Sequence, residues 1–198
     1  SNVIEQDEKL DNSNINNQIP FTDISDHWAK EYILELNQLC NIQGYKDEQG
    51  NLLRLFKPEE QISRAELSTM LIRCKYGEQS PVKQSFFNDL SAYDWAVPYI
   101  KLAYEKGIIE GYNDGAFRPN QSITKAESLK VTVLTFLMEN LPKTSLTTTC
   151  DDIKATDWYA PYFNLLPNEN LRITTCLPNQ IITRAQAAKV VSDILKLK

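Results

Sequence analysis

Three basic residues hold the same place in three similar pentads. They are Arg64 in Ile62-Ser63-Arg64-Ala65-Glu66, Lys125 in Ile123-Thr124-Lys125-Ala126-Glu127 and Arg184 in Ile182-Thr183-Arg184-Ala185-Gln186. Each follows a Ser or Thr standing three residues before Glu or Gln and opening an apolar run, the capping-box signature of a helix N-terminus. The helix macrodipole already makes that end positive, so a cation there is mildly unfavourable for stability. Beside helix-start N–H groups with no partner of their own, the same cation suits an incoming carboxylate. Position alone favours a solvated or salt-bridged helix-end residue; recurrence in three copies argues against that bland reading. Glu66 and Glu127 are explained by capping and need no chemistry. The chain has no G-x-S-x-G elbow, no Cys/His dyad, no phosphate-cradling Gly loop and no metal-ligand spacing, so no catalytic residue, metal or cofactor is expected. A carboxylate pair for glycoside hydrolysis stays open among the 26 Asp and Glu residues, none of which the sequence singles out.

The elements that carry these residues form a repeat. Copy one reads Phe21-Thr22-Asp23-Ile24, Trp28-Ala29, Gly44-Tyr45, Phe56-Lys57-Pro58 and the cap at Ser63. Copy two reads Phe87-Asn88-Asp89-Leu90, Trp95-Ala96, Gly111-Tyr112, Phe117-Arg118-Pro119 and Thr124. Copy three reads Cys150-Asp151-Asp152-Ile153, Trp158-Tyr159, Cys176-Leu177-Pro178 and Thr183, without the Gly-Tyr. Copy one carries six extra residues around Asp47 to Leu53, and copy three has lost four around Thr174. The expected units are 21–76, 87–140 and a degenerate 150–198, together one module, after a polar flexible leader at 1–19. The tracts Gly77–Ser85 and Leu141–Thr149 read as linkers.

Within each copy the pattern is helix, loop, helix. The first helix is expected to follow Asp26, Asp94 or Asp157, with Pro98 and Pro161 in its first turn. Ile33, Leu36 and Leu39, then Ile100, Ala103 and Tyr104, give its apolar spacing. Three capped amphipathic helices are expected to bury their stripes against one another.

The register also orders the cysteines. Cys150 takes the slot of Phe21 and Phe87, and Cys176 that of Phe56 and Phe117. The two Phe rings are therefore expected to touch in copies one and two, with a Cys150–Cys176 disulfide replacing the contact. Cys40 and Cys74 either pair or remain free buried thiols. Disulfides would point to an oxidising compartment. A net charge of −5 argues against a nucleic-acid partner, and no apolar run approaches a membrane span.

Phe-x-Asp-[Ile/Leu], Trp-Ala, Gly-Tyr-x-Asp-Gly-x-Phe-x-Pro and Ile-Thr-[Arg/Lys]-Ala-Glu together resemble the S-layer homology (SLH) domain family, as three tandem copies over 21–198. The resemblance implies an all-α, pseudo-threefold trimer of repeats within one chain, with a central three-helix bundle and three helical prongs. It implies a monomeric, non-enzymatic module, extracellular at the cell surface or wall. Its partner would be a cell-wall polysaccharide with an acidic, pyruvylated sugar substituent. The alternatives are a degenerate module joining proteins in a surface assembly, or the anchor fragment of an envelope enzyme. The implied ligand residues are Arg64, Lys125 and Arg184, with Lys125 lacking a planar fork. Trp28, Trp95 and Trp158 are either buried or stack on sugar rings. Gly44 and Gly111 allow close backbone approach, and Tyr45, Tyr112 and Asp114 complete the loops. At most two grooves are expected to be competent, because copy three has lost its loop.

Overall fold

The computed structural model describes residues 20–82, 86–138, 150–165 and 175–197. The leader, the linker at 139–149 and the shortened tract around Thr174 lie outside the described residues. Among the described residues the chain is all-α. Three helices belong to the first halves of the copies: α1 (Lys30–Cys40), α3 (Val97–Glu105) and α5 (Ala160–Phe163). Three are the capped ones: α2 (Arg64–Tyr76), α4 (Lys125–Leu137) and α6 (Arg184–Leu195).

All three capped helices start as their sequences dictate. Ser63, Thr124 and Thr183 each accept from the backbone N–H three residues on, and Glu66, Glu127 and Gln186 reach back to the cap N–H. The first-half helices follow Asp26, Asp94 and Asp157 as expected, but these residues do not cap them. Their N-caps are Ala29, Ala96 and Tyr159, not Asp26, Asp94 or Asp157. A tight turn comes first, closed by His27 N–H to Ile24 O, Tyr93 N–H to Leu90 O and Asp157 N–H to Lys154 O. Pro98 and Pro161 do sit in the first helical turn. Leu39 is 58% exposed, because the inward position at the end of α1 belongs to Cys40. Tyr104 is also exposed, lying against the rings of Phe86 and Phe87.

The pseudo-threefold arrangement is written into the backbone. Ile62 N–H donates to Ile182 O, Ile182 N–H to Ile123 O, and Ile123 N–H to Ile62 O, a closed ring of three bonds at 3.1–3.3 Å. All three side chains are buried. Each capped helix then spends its first two N–H groups on the loop of the next copy. Arg64 and Ala65 donate to Gln121 and Pro119, Lys125 and Ala126 to Gln180 and Pro178, and Arg184 and Ala185 to Glu60 and Pro58. Helix starts that looked free for a ligand are thus already partnered, which corrects the helix-start half of the anion argument. Each capped helix also packs on the first helix of the following copy: α2 on α3, α4 on α5 and α6 on α1.

Below this ring the loop of each copy is clamped by the Asp of its opening motif. Asp23 accepts from Phe56 and Lys57 N–H, Asp89 from Phe117 and Arg118, and Asp152 from Cys176 and Leu177. The second residue of each pair, Lys57, Arg118 or Leu177, has a positive φ of 51–59°. The clamp fixes that uncommon backbone. Phe21 meets Phe56 at 5.5 Å between ring centroids and Phe87 meets Phe117 at 5.4 Å. Cys150 and Cys176 are disulfide-bonded, and so are Cys40 and Cys74, which tie α1 to α2.

Candidate ligand grooves

Two cavities flank the central helices, and each draws on all three copies. The first, about 510 Å³, is lined by Arg184 from copy three, the Gln43–Lys46 loop and α2 of copy one, and Trp95 of copy two. The second, about 200 Å³, is lined by Arg64 from copy one, the Glu110–Tyr112 loop and α4 of copy two, and Trp158 of copy three. The cyclic handover of N–H groups causes this mixing, since it lays each capped helix start against its neighbour's loop.

The two guanidinium groups are held in matching ways. Arg184 is 8% exposed; its Nε donates to Phe56 O at 2.7 Å and its Nη1 to Glu66 Oε1 at 3.3 Å. Its plane lies near the Tyr45 and Phe56 rings, 4.8 and 5.0 Å away. Arg64 donates from Nε to Phe117 O and from Nη2 to Glu110 O, with Glu127 Oε1 3.6 Å from Nη1. Tyr112 and Phe117 stand beside it at 5.2 and 4.8 Å. A guanidinium carries five N–H donors, so these contacts leave some for a ligand. The arginines are also structural members of the loop, and their loss must cost stability as well as binding.

The capping glutamates do double work. Glu66 gives one oxygen to its cap and the other to Tyr45 Oη and Arg184, and Glu127 likewise spans its cap and Arg64. Burial is the main cause that pushes the Tyr45 phenol well above its ordinary range; Arg184 opposes and Glu66 adds. Tyr45 therefore stays a donor. In the third position the pair is Lys125 and Gln186, with no carboxylate in the cap. Lys125 Nζ donates to Cys176 O at 2.9 Å. Burial lowers its pKa, Asp152 opposes that and Lys189 adds to it.

The remaining site candidates fall on both sides of expectation. Trp95 and Trp158 are 51% and 54% exposed, and each presents its indole to a cavity. Lys130 lies 5.6 Å over Trp158. Trp28 is equally exposed, beside His27 and Tyr32. Gly44 and Gly111 line the cavities, but their need for glycine comes from the opposite side. A Cβ would stand 2.8 Å from Phe21 Cε1 at Gly44 and 2.2 Å from Phe87 Cε1 at Gly111. Asp114 does not reach the cavity of its copy; it accepts from Ala116 N–H and pairs with Arg118, which together hold its carboxyl below the usual range. Sequence reasoning missed Lys46, Thr69, Arg73, Glu110 and Lys130 as lining residues. Helical spacing from the capping glutamate would have found the ones on α2 and α4, since Glu66, Thr69, Met70 and Arg73 share one face.

A sequence model of the S-layer homology domain matches residues 20–68 and 86–127. An amylopullulanase of Thermoanaerobacterium thermosulfurigenes is 31% identical over 89% of this chain and 9% of its own length. The cellulosome-anchoring protein of Acetivibrio thermocellus is 35% identical over 58% of the chain and 25% of its own. An S-layer protein of Bacillus anthracis is 25% identical over 87% of the chain and 21% of its own. The chain thus spans a quarter or less of each of these relatives.

Proposed function

The chain belongs to the S-layer homology domain family, and we propose that it fastens a larger protein to the bacterial cell surface by binding cell-wall polysaccharide. No helix among the described residues is long and apolar enough to cross a membrane. The observation that carries the reading is the pairing, in each of two cavities, of a guanidinium with an exposed tryptophan contributed by a different copy. An indole face supplies apolar area to a sugar ring, and a guanidinium supplies paired donors to an acidic substituent. On this reading the acidic group is a pyruvyl ketal on the sugar. That assignment rests on Arg184 and Arg64 keeping donors beyond those their own loops consume. Relatives as different as an amylopullulanase and an S-layer protein fit the same reading, because an anchor serves any host.

Sedimentation with purified cell-wall sacculi tests it. The chain is expected to pellet with native sacculi and to stay in solution after the polysaccharide is stripped. Pelleting that is indifferent to stripping would end the glycan reading and favour a protein partner in a surface assembly.

A further inference from the structure

The two cavities share a plan but not a charge. Lys46, Arg73 and Arg184 face the copy-one cavity against a single carboxylate, Glu66. Around the copy-two cavity Arg64 and Lys130 are matched by Glu110 and Glu127. Glu78 pairs with Arg73 at 2.9 Å, and counting it still leaves copy one with one cation in excess while copy two is neutral.

Register explains the difference. At the same offset from the capped basic residue, Thr69 replaces Lys130 and Arg73 replaces Leu134. The short threonine opens the cavity along α2, and the cation reappears one turn further on. From Glu66 to Arg73 the cavity follows two helical turns, about 10 Å. In copy two it stops at Val131. Thr69 lines the enlarged space and is only 5% exposed, with its Oγ1 buried in the wall and unpartnered. The insertion of copy one folds as a narrow hairpin, pairing Lys46 with Leu52 and turning on Asp47. It brings Lys46 to the rim, where copy two has Asn113.

We infer that the copy-one cavity is the anion-selective groove of this molecule, in which Arg73 and Lys46 form a second cationic subsite beyond Arg184, with Thr69 making the room. The ligand is a glycan segment with an acidic substituent, and the assignment rests on the wall-glycan reading above. The copy-two groove, charge-balanced and shorter, discriminates less between acidic and neutral sugars.

The three tryptophans give three indole N–H signals in the ¹⁵N-labelled full chain, assignable with Trp→Phe variants. The probes are a 4,6-pyruvylated N-acetylhexosamine methyl glycoside and its unpyruvylated parent. The acidic probe is expected to saturate the Trp95 signal at about tenfold lower concentration than the Trp158 signal, the worth of one added charge-assisted contact. Arg73→Gln is expected to lower the acid-over-neutral preference at Trp95 several-fold while leaving Trp158 unchanged. Because Arg73 also donates to Tyr99, Lys46→Gln on the exposed hairpin is the second variant and should shift the same ratio in the same direction. Saturation of Trp158 first or together with Trp95, or an unchanged ratio in both variants, overturns the assignment. If sacculi are still bound in that case, only the groove assignment is lost. Silent indoles together with lost sacculus binding remove the glycan reading too.

Discussion

Copies one and two differ from copy three at positions that change in pairs. The touching rings Phe21–Phe56 and Phe87–Phe117 become the Cys150–Cys176 bond. The cation and carboxylate that meet across copies, Arg184 with Glu66 and Arg64 with Glu127, become Lys125 and Gln186. The Gly-Tyr that faces the cavity has no counterpart. Yet all three copies keep the isoleucine ring, the hydroxyl cap and the aspartate clamp. Residues common to three copies hold the bundle together. Residues common to only two line the grooves proposed to bind the glycan, and on that proposal the third side is free to drift or be stapled.

The largest effect is expected where structure is shared. Asp89→Ala leaves Phe117 and Arg118 N–H without their carboxylate, at a cost of about 3–5 kcal/mol for two charge-assisted bonds. By calorimetry that is a fall in Tm of roughly 6–20 °C. Asp152 makes the same two bonds from an exposed position, so Asp152→Ala should cost clearly less. Equal losses would mean that the clamp works through the backbone it fixes rather than through the partial shielding of the Asp89 bonds.

The staple comes next. Its ends are 26 residues apart, and replacing both cysteines by serine should cost about 3–4 kcal/mol by the chain-entropy estimate. Replacing both by phenylalanine restores the pair used in the other copies and should return about 1 kcal/mol over the serine variant, read from urea midpoints. A phenylalanine variant no better than serine would show that copy three no longer has a ring-sized space.

Much of this was legible in the sequence, for a physical reason. Caps, turns and paired ring slots are local, and their spacing repeats; three copies turn weak signals into a register. Hence the capped helices, the Phe contacts and the Cys150–Cys176 pairing are legible in the sequence itself. The cyclic handover of Arg64, Lys125 and Arg184 N–H groups to neighbouring loops could not, because it joins residues some 55–125 positions apart with no pattern in one dimension. The same blindness hid the second role of Glu66 and made Asp114 look like a site residue. Capping explained the one completely, and loop membership recommended the other.

Arg184 tests how far groove and scaffold separate. Arg184→Ala removes the side-chain donor to Phe56 O and the cation beside Glu66, which keeps its cap and Tyr45, so a stability loss of about 2–3 kcal/mol is expected alongside weaker sacculus binding. Lys125→Ala removes one hydrogen bond from the copy-three side and should cost about 1 kcal/mol with little effect on binding. Binding that survives Arg184→Ala but not Lys125→Ala would invert the comparison and make copy three the functional side.

The smallest effect separates the two kinds of cation by pH. Burial holds the folded-state pKa of Lys125 below its ordinary value, against the opposing charge of Asp152. At neutral pH both folded and unfolded chains keep the proton, and the folded state carries the cost of a partly desolvated ammonium. As pH climbs from the depressed value toward the unfolded value of about 10.4, the folded chain sheds its proton first. The unfolded state then binds more protons, so unfolding free energy rises with pH. Arginine offers no such gain, since it stays charged throughout. Tyr45 works in the other direction: its raised phenol makes the unfolded chain ionise first above about pH 10, which lowers stability. That loss is common to wild type and Lys125→Met, and cancels in their difference. Urea midpoints of the two proteins at pH 7.5 and 9.5 should therefore draw apart in favour of wild type. A constant gap would mean that the charge of Asp152 offsets the burial of Lys125 in full, leaving the folded-state proton as firmly held as in the unfolded chain.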